Sequence, residues 1–134
     1  MLDRATFKYI EKEIYAFEKT KKRIEEIRTE IILSTSYPQE IRTPDPKDPT
    51  GIITTRLMLD IRLQRLQFIT DAIEESITIM LPEVLDVLSY KYWKYPKIQW
   101  AEVAHRFRFD EKTVYNWRRE FIEDIAKELG GIDV

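Results

Sequence analysis

The 134-residue chain contains no cysteine, three glycines and a single histidine. Without cysteine there are no disulfides, thiolate metal sites or cysteine nucleophiles, and the composition is compatible with a reducing compartment. One imidazole, His105, cannot assemble a histidine metal cluster or a catalytic triad. No P-loop, Rossmann glycine pattern or serine elbow occurs. The many carboxylates fall at charge-pair spacing along helix faces and bracket no site for acid/base work. Catalytic residues, cofactors and metals are therefore not expected. Long apolar runs are also missing, so no membrane span is expected. The N-terminus is charged from Asp3 onward and leads into no apolar segment of a secretory signal.

What the chain does have is helical patterning. A hydrophobic content of 43% suffices for a core, and 34% charge with so little glycine favours long helices over strands, so the class is all-α. Ile10, Phe17, Ile24 and Ile31 recur every seven residues, with Phe7 and Ile14 between them, which predicts one long helix from residue 3 to about 32. Lys21 and Arg28 weaken that seam, and Ile27 is displaced by one. Residues 34–50 hold four of the six prolines and read as a linker. Asp48-Pro49 suits the start of a second long helix, which Pro82 stops. In it Ile52, Leu59, Leu66, Ile73 and Met80 are again spaced by seven, with Leu63 and Ile77 intermediate. Met58 and Met80 are assigned to the core. Two such seams call for an intramolecular hairpin or a coiled coil between copies, and a homo-oligomer is expected. The expected division is a long-helix region over 1–81 and a second region over 82–134.

The second region opens with a short helix presenting Val84, Leu85, Leu88 and Tyr92. The run Tyr90-Lys-Tyr-Trp-Lys-Tyr-Pro96 follows it. Lysines among aromatics can stack on single-stranded nucleic acid, but the plainer role is to pack this helix on the next two. Residues 98–119 then read as a helix-turn-helix. Val103, Phe107, Phe109, Val114 and Trp117 close its small core, with Ala104 where the helices approach. Asp110 is expected to cap the second helix with its carboxylate. Arg108 stands at the turn position where positive φ favours glycine, at a cost on the order of 1 kcal/mol. The last helix runs inward through Phe121, Ile122, Ile125 and Leu129 to a stop at Gly130-Gly131. Residues 91–119 carry eight bases against three acids in a chain of net charge −2, which concentrates positive charge on one segment.

The C-terminal third, from Leu81-Pro82-Glu83 and Leu88-Ser-Tyr-Lys-Tyr-Trp93 to Trp100-Ala-Glu-Val-Ala104, Thr113-Val114 and Ile125-Ala-Lys-Glu-Leu-Gly130, resembles region four of bacterial sigma factors. The whole chain, with Asp48-Pro49-Thr50 opening its second long helix, is similar to the RinA/ArpU group of phage transcriptional regulators. Arg108 departs from the usual glycine and Asp110 from the usual serine. The resemblance implies a phage or prophage regulator in the bacterial cytoplasm, activating late or packaging genes through double-stranded DNA, with host RNA polymerase as a further partner. By the geometry of the motif, Glu111, Lys112, Tyr115, Asn116 and Arg119 face outward on the recognition helix. Asn116 suits adenine and Arg119 guanine or phosphate, while Lys97, Arg108, Lys112 and Arg118 suit phosphates. The rival readings are a phage small terminase subunit, which combines the same parts, and a sigma-like adaptor that binds polymerase and no DNA.

Overall fold

A computed structural model describes residues 2–36 and 49–130, and among these the chain is entirely helical. The order is α1 (Arg4–Tyr15), α2 (Phe17–Ser36), α3 (Pro49–Leu59), α4 (Ile61–Thr78), α5 (Pro82–Ser89), a π-helical turn (Tyr90–Lys94), α6 (Trp100–Phe107) and α7 (Glu111–Glu128). Most of the expected linker, residues 37–48, lies outside the described residues, and its two ends are helical.

Each expected long helix is two. The first opens on Asp3, whose carboxylate accepts from the Thr6 amide at 2.7 Å, and is interrupted at Ala16 (φ −86°, ψ −1°). The interruption falls where the Trp93 indole N–H donates to the Ile14 carbonyl at 2.8 Å. A carbonyl drawn to an outside donor tilts from the helix axis and bends the chain there. The second is broken at Asp60, extended at φ −74° and ψ 115°, whose carboxylate accepts from the amides of Arg62 and Leu63. That is an N-cap, and it ends the run that seven-residue spacing carried through. Met58, just before the break, is 66% exposed, so its assignment to the core is corrected. Met80 does pack against the core.

Most of the seam residues whose side chains are described are covered within the chain, whereas Ile52 is exposed. Ile24, Ile27 and Ile31 of α2 meet Leu63 of α4, with Leu57 and Leu66 alongside. Ile27 is buried because it stands three residues after Ile24 and four before Ile31, on the same face of the helix. The Arg28 guanidinium, at a weakened seam position, donates to Gln67 across the gap at 3.2 Å. The main core joins Ile10, Ile14 and Phe17 to Ile69, Ala72 and Ile73 of α4, Leu88 of α5, Tyr92, and Phe121, Ile122, Ile125 and Ala126 of α7. It therefore runs across the 81/82 position expected as a division, since α4 and α7 lie against each other. Full burial of side chains of this size is worth about 1.5–3 kcal/mol each. Gly130, at φ +85°, ends α7 in the left-handed conformation that a glycine adopts without strain.

The break at Asp60 has a direct test by denaturant titration. Asp60→Ala is expected to cost about 1 kcal/mol, and Met58→Lys to stay within about 0.5 kcal/mol of the parent. A continuous helix with Met58 inside would reverse that order.

Candidate nucleic-acid interface

The segment between α5 and α6 sets where the last two helices stand. In the π-helical turn the Tyr95 amide donates to the Tyr90 carbonyl, five residues back, at 2.8 Å. Both Lys91 and Tyr92 on this turn are buried. The Tyr92 ring lies edge-on to Tyr15 and Trp100, with centroids at 4.9 and 5.3 Å. Lys91 donates through Nζ to the Tyr15 hydroxyl at 2.6 Å and to the Pro96 carbonyl at 2.7 Å. Burial holds its ammonium below the ordinary lysine pKa. The lysine-aromatic run thus packs the helices together rather than offering itself whole as a stacking surface.

Beyond it, Val87, Val103, Ala104 and Val114 form a small sealed core, with Phe107, Phe109 and Trp117 partly buried around it. The Phe109 and Trp117 rings meet edge-on at 4.9 Å. Between α6 and α7, Arg108 takes φ +60° and ψ +39°, the left-handed conformation expected of this turn. The amide of Arg108 donates to the His105 carbonyl at 3.1 Å and that of Phe109 to the Ala104 carbonyl at 2.9 Å, which satisfies the last carbonyls of α6. Asp110 occupies the N-cap position of α7 with extended backbone, but its carboxylate accepts no capping hydrogen bond. The cap is positional only, which corrects the expected bond.

Of the eight residues expected to meet DNA, Lys97, Arg108, Glu111, Lys112, Tyr115 and Arg119 are exposed and Asn116 is half-buried. Arg119 donates to the Asn116 side-chain oxygen Oδ1 at 3.0 Å and lies 4.0 Å from the Glu123 carboxylate. Arg118 is different. It grips Glu11 of α1 with two hydrogen bonds of 2.7 Å each. Its guanidinium lies over the rings of Phe7 and Trp100, at 5.2 and 5.1 Å. The Tyr92 hydroxyl donates to the same Glu11 carboxylate at 2.7 Å. The hydrogen bonds to Glu11 raise the Arg118 pKa, and burial drives the Tyr92 phenol well above its ordinary value. Arg118 is thus an internal tie between the first and last helices, and its expected role as a phosphate contact is withdrawn. The tie was missed because Glu11 belongs, by spacing, to a charged helix face, and nothing local marks a partner 107 residues away.

These features define an all-helical protein whose last helix is held by its first and presents a mixed polar face. The chain belongs to the family described as protein of unknown function (DUF722), whose model matches residues 2–127. No curated protein and no solved structure matches it. Among the described residues no helix is long and apolar enough to cross a membrane, and no group of histidines and carboxylates could hold a metal ion.

Two substitutions separate the roles of these arginines. Arg118→Ala leaves a partly buried Glu11 carboxylate without its cation and is expected to cost about 2–4 kcal/mol in denaturant unfolding; a mere phosphate contact would leave stability unchanged. Arg108→Gly relieves the left-handed backbone and is expected to raise stability by about 0.5–1 kcal/mol. A loss of stability there would show that the Arg108 side chain holds the turn.

Proposed function

We propose that the chain is a DNA-binding transcriptional regulator of phage or prophage type, similar to the RinA/ArpU group, and that α6 and α7 form its helix-turn-helix. The observation that carries this is the exposed face of α7. Lys112, Tyr115 and Arg119 project from a helix whose opposite side is sealed by Val114, Trp117 and Phe121. Lys97 and Arg108 are exposed in the turns that precede α6 and α7 respectively. A helix seated this way can enter a major groove with bases at its rim to meet phosphates.

The pairing of Arg119 with Asn116 narrows what would be read. With its side-chain oxygen Oδ1 accepting from Arg119, Asn116 has one lone pair of that oxygen and its amide N–H groups left for a base. Arg119 keeps its remaining donors free for the two acceptors of guanine, with Asn116 as its brace. Guanine at the Arg119 position is the favoured contact.

The test is duplex binding, measured by fluorescence anisotropy with DNA flanking the gene. Arg119→Ala and Asn116→Ala are expected to keep the thermal midpoint and to cost roughly 1–3 kcal/mol of cognate binding. Because the two side chains are bonded, the double variant is expected to lose less than the sum. Trp117→Ala, which empties a core position, is expected to cost about 3–5 kcal/mol of stability and all binding with it. Unchanged duplex binding in both polar variants, with the defect confined to polymerase association, would favour the adaptor reading.

A further inference from the structure

The lysine-aromatic run is only partly spent on packing. Lys91 and Tyr92 are buried, but Lys94 and Tyr95 stay exposed and border a hollow of about 500 Å³. Tyr90, Lys94, Tyr95 and Lys97 line it from the π-helical turn and the segment after it, and Glu102 and Arg106 line it from α6. Its size is in the ordinary range for a small-ligand site, about 300–1,000 Å³.

The hollow combines ring surface with positive charge. The Tyr90 and Tyr95 ring centroids lie 4.8 Å apart, and Tyr95 is 48% exposed. The Lys94 ammonium stands 6.0 and 5.7 Å from those centroids. Neither Lys94 nor Lys97 forms an ion pair among the described residues. The one acid in the lining, Glu102, is held by Arg106 through two hydrogen bonds to a single oxygen. Arg106 also donates to the Tyr90 hydroxyl at 3.0 Å, which fixes the guanidinium beside the ring and leaves it with donors to spare. We propose that this hollow is a second site, separate from the face of α7, which takes a nucleotide of single-stranded nucleic acid. The base stacks on the Tyr95 ring, and phosphates meet Lys94, Lys97 and Arg106.

The surroundings favour this occupant over an acidic peptide. Extended peptides are held at a strand edge and helical ones along a groove that takes anchors over successive turns. Among the described residues there is no strand, and α6 gives the hollow a single turn, Glu102 to Arg106. A second hollow shares Tyr90 and Lys94 with the first and adds the rings of Trp93 and Phe107, with Asp86, so aromatic surface continues for a neighbouring base. A duplex keeps its base faces stacked inside, so only an unpaired strand can offer one to Tyr95. Lys97 is common to this site and the duplex reading, but the site stands without that reading.

The experiment is fluorescence anisotropy of the full chain with a labelled oligothymidylate of about 12 nucleotides, within the usual span of single-strand sites, at about 50 mM salt. The parent chain is expected to bind it. Tyr95→Ala is expected to weaken that binding from about fivefold to about a hundredfold, the range for losing one stacked base, and Tyr95→Phe to restore it. Lys94→Gln is expected to lower the slope of log affinity against log salt by about 0.7. All three are expected to keep the parent circular dichroism signal and its duplex binding, whereas Arg119→Ala is expected to leave oligothymidylate binding within about twofold, because it lies outside this hollow. No binding by the parent chain, a folded Tyr95→Ala variant that binds as the parent does, or equal losses on single strand and duplex would overturn the proposal. So would a glutamate-tyrosine copolymer that binds more tightly than the oligothymidylate and is lost with Tyr95→Ala, which would make the hollow a peptide site.

Discussion

The Glu11 carboxylate is the constraint on which the arrangement of the outer helices depends. It accepts from Arg118 through two hydrogen bonds and from the Tyr92 hydroxyl through a third, so α1, the π-helical turn and α7 meet at one group. Apolar packing is non-directional; it sets how close α7 lies but only loosely how far it is rotated. A bidentate arginine-carboxylate pair is directional. With Arg118 fixed toward α1, a residue two positions earlier stands about 200° around the helix. That geometry turns Asn116 away from α1 and leaves Arg119 to bond with it on the outer side. The orientation of the candidate reading face therefore originates at the other end of the chain.

The π-helical turn serves the same end by a different means. Lys91 and Tyr92 on this turn are both buried, and the cost of burying an ammonium is offset by the Tyr15 hydroxyl, the Pro96 carbonyl and the rings of Tyr15 and Trp100. Trp93 then reaches the Ile14 carbonyl, where the first helix bends. One local irregularity thus produces another 79 residues away in sequence.

This explains what was legible in the sequence and what was not. Periodicity reports burial, so Ile10, Phe17, Ile24, Ile31, Val103 and Val114 could be placed inside from spacing alone, and all are buried. The positive φ at Arg108 was legible for a similar reason, because turn geometry is local. Asp60 carried a readable capping signal that the stronger seven-residue pattern obscured. The bend at Ala16 and the burial of Lys91 had no local signal, since both depend on partners far along the chain. Arg118 was misplaced on the same ground: a base on a basic segment looks like surface until Glu11 is brought to it. For the candidate site, the exposed positions followed from helix phase, whereas the bonding of Arg119 to Asn116 depends on side-chain conformation that spacing does not fix.

Withdrawing Lys91 and Arg118 changes the electrostatic argument. Of the eight bases between residues 91 and 119, six remain on the surface, Lys94, Lys97, Arg106, Arg108, Lys112 and Arg119. Arg106 is itself engaged with Glu102 at 3.1 Å and with the Tyr90 hydroxyl at 3.0 Å, so its charge is partly answered within the chain. Each phosphate neutralised contributes a slope of about 0.9 in log affinity against log salt, and a surface with this few unengaged bases supports only a shallow one in a single copy. An acidic remainder adds repulsion at long range. On the proposed DNA-binding reading, a single copy has little non-specific attraction to a duplex, and affinity has to come from base contacts or from presenting the face more than once. Two copies presenting the face together would double the phosphate contacts without making either chain more basic, and the acidic remainder would then act against binding at arbitrary sequence more than against binding at a matched pair of half-sites.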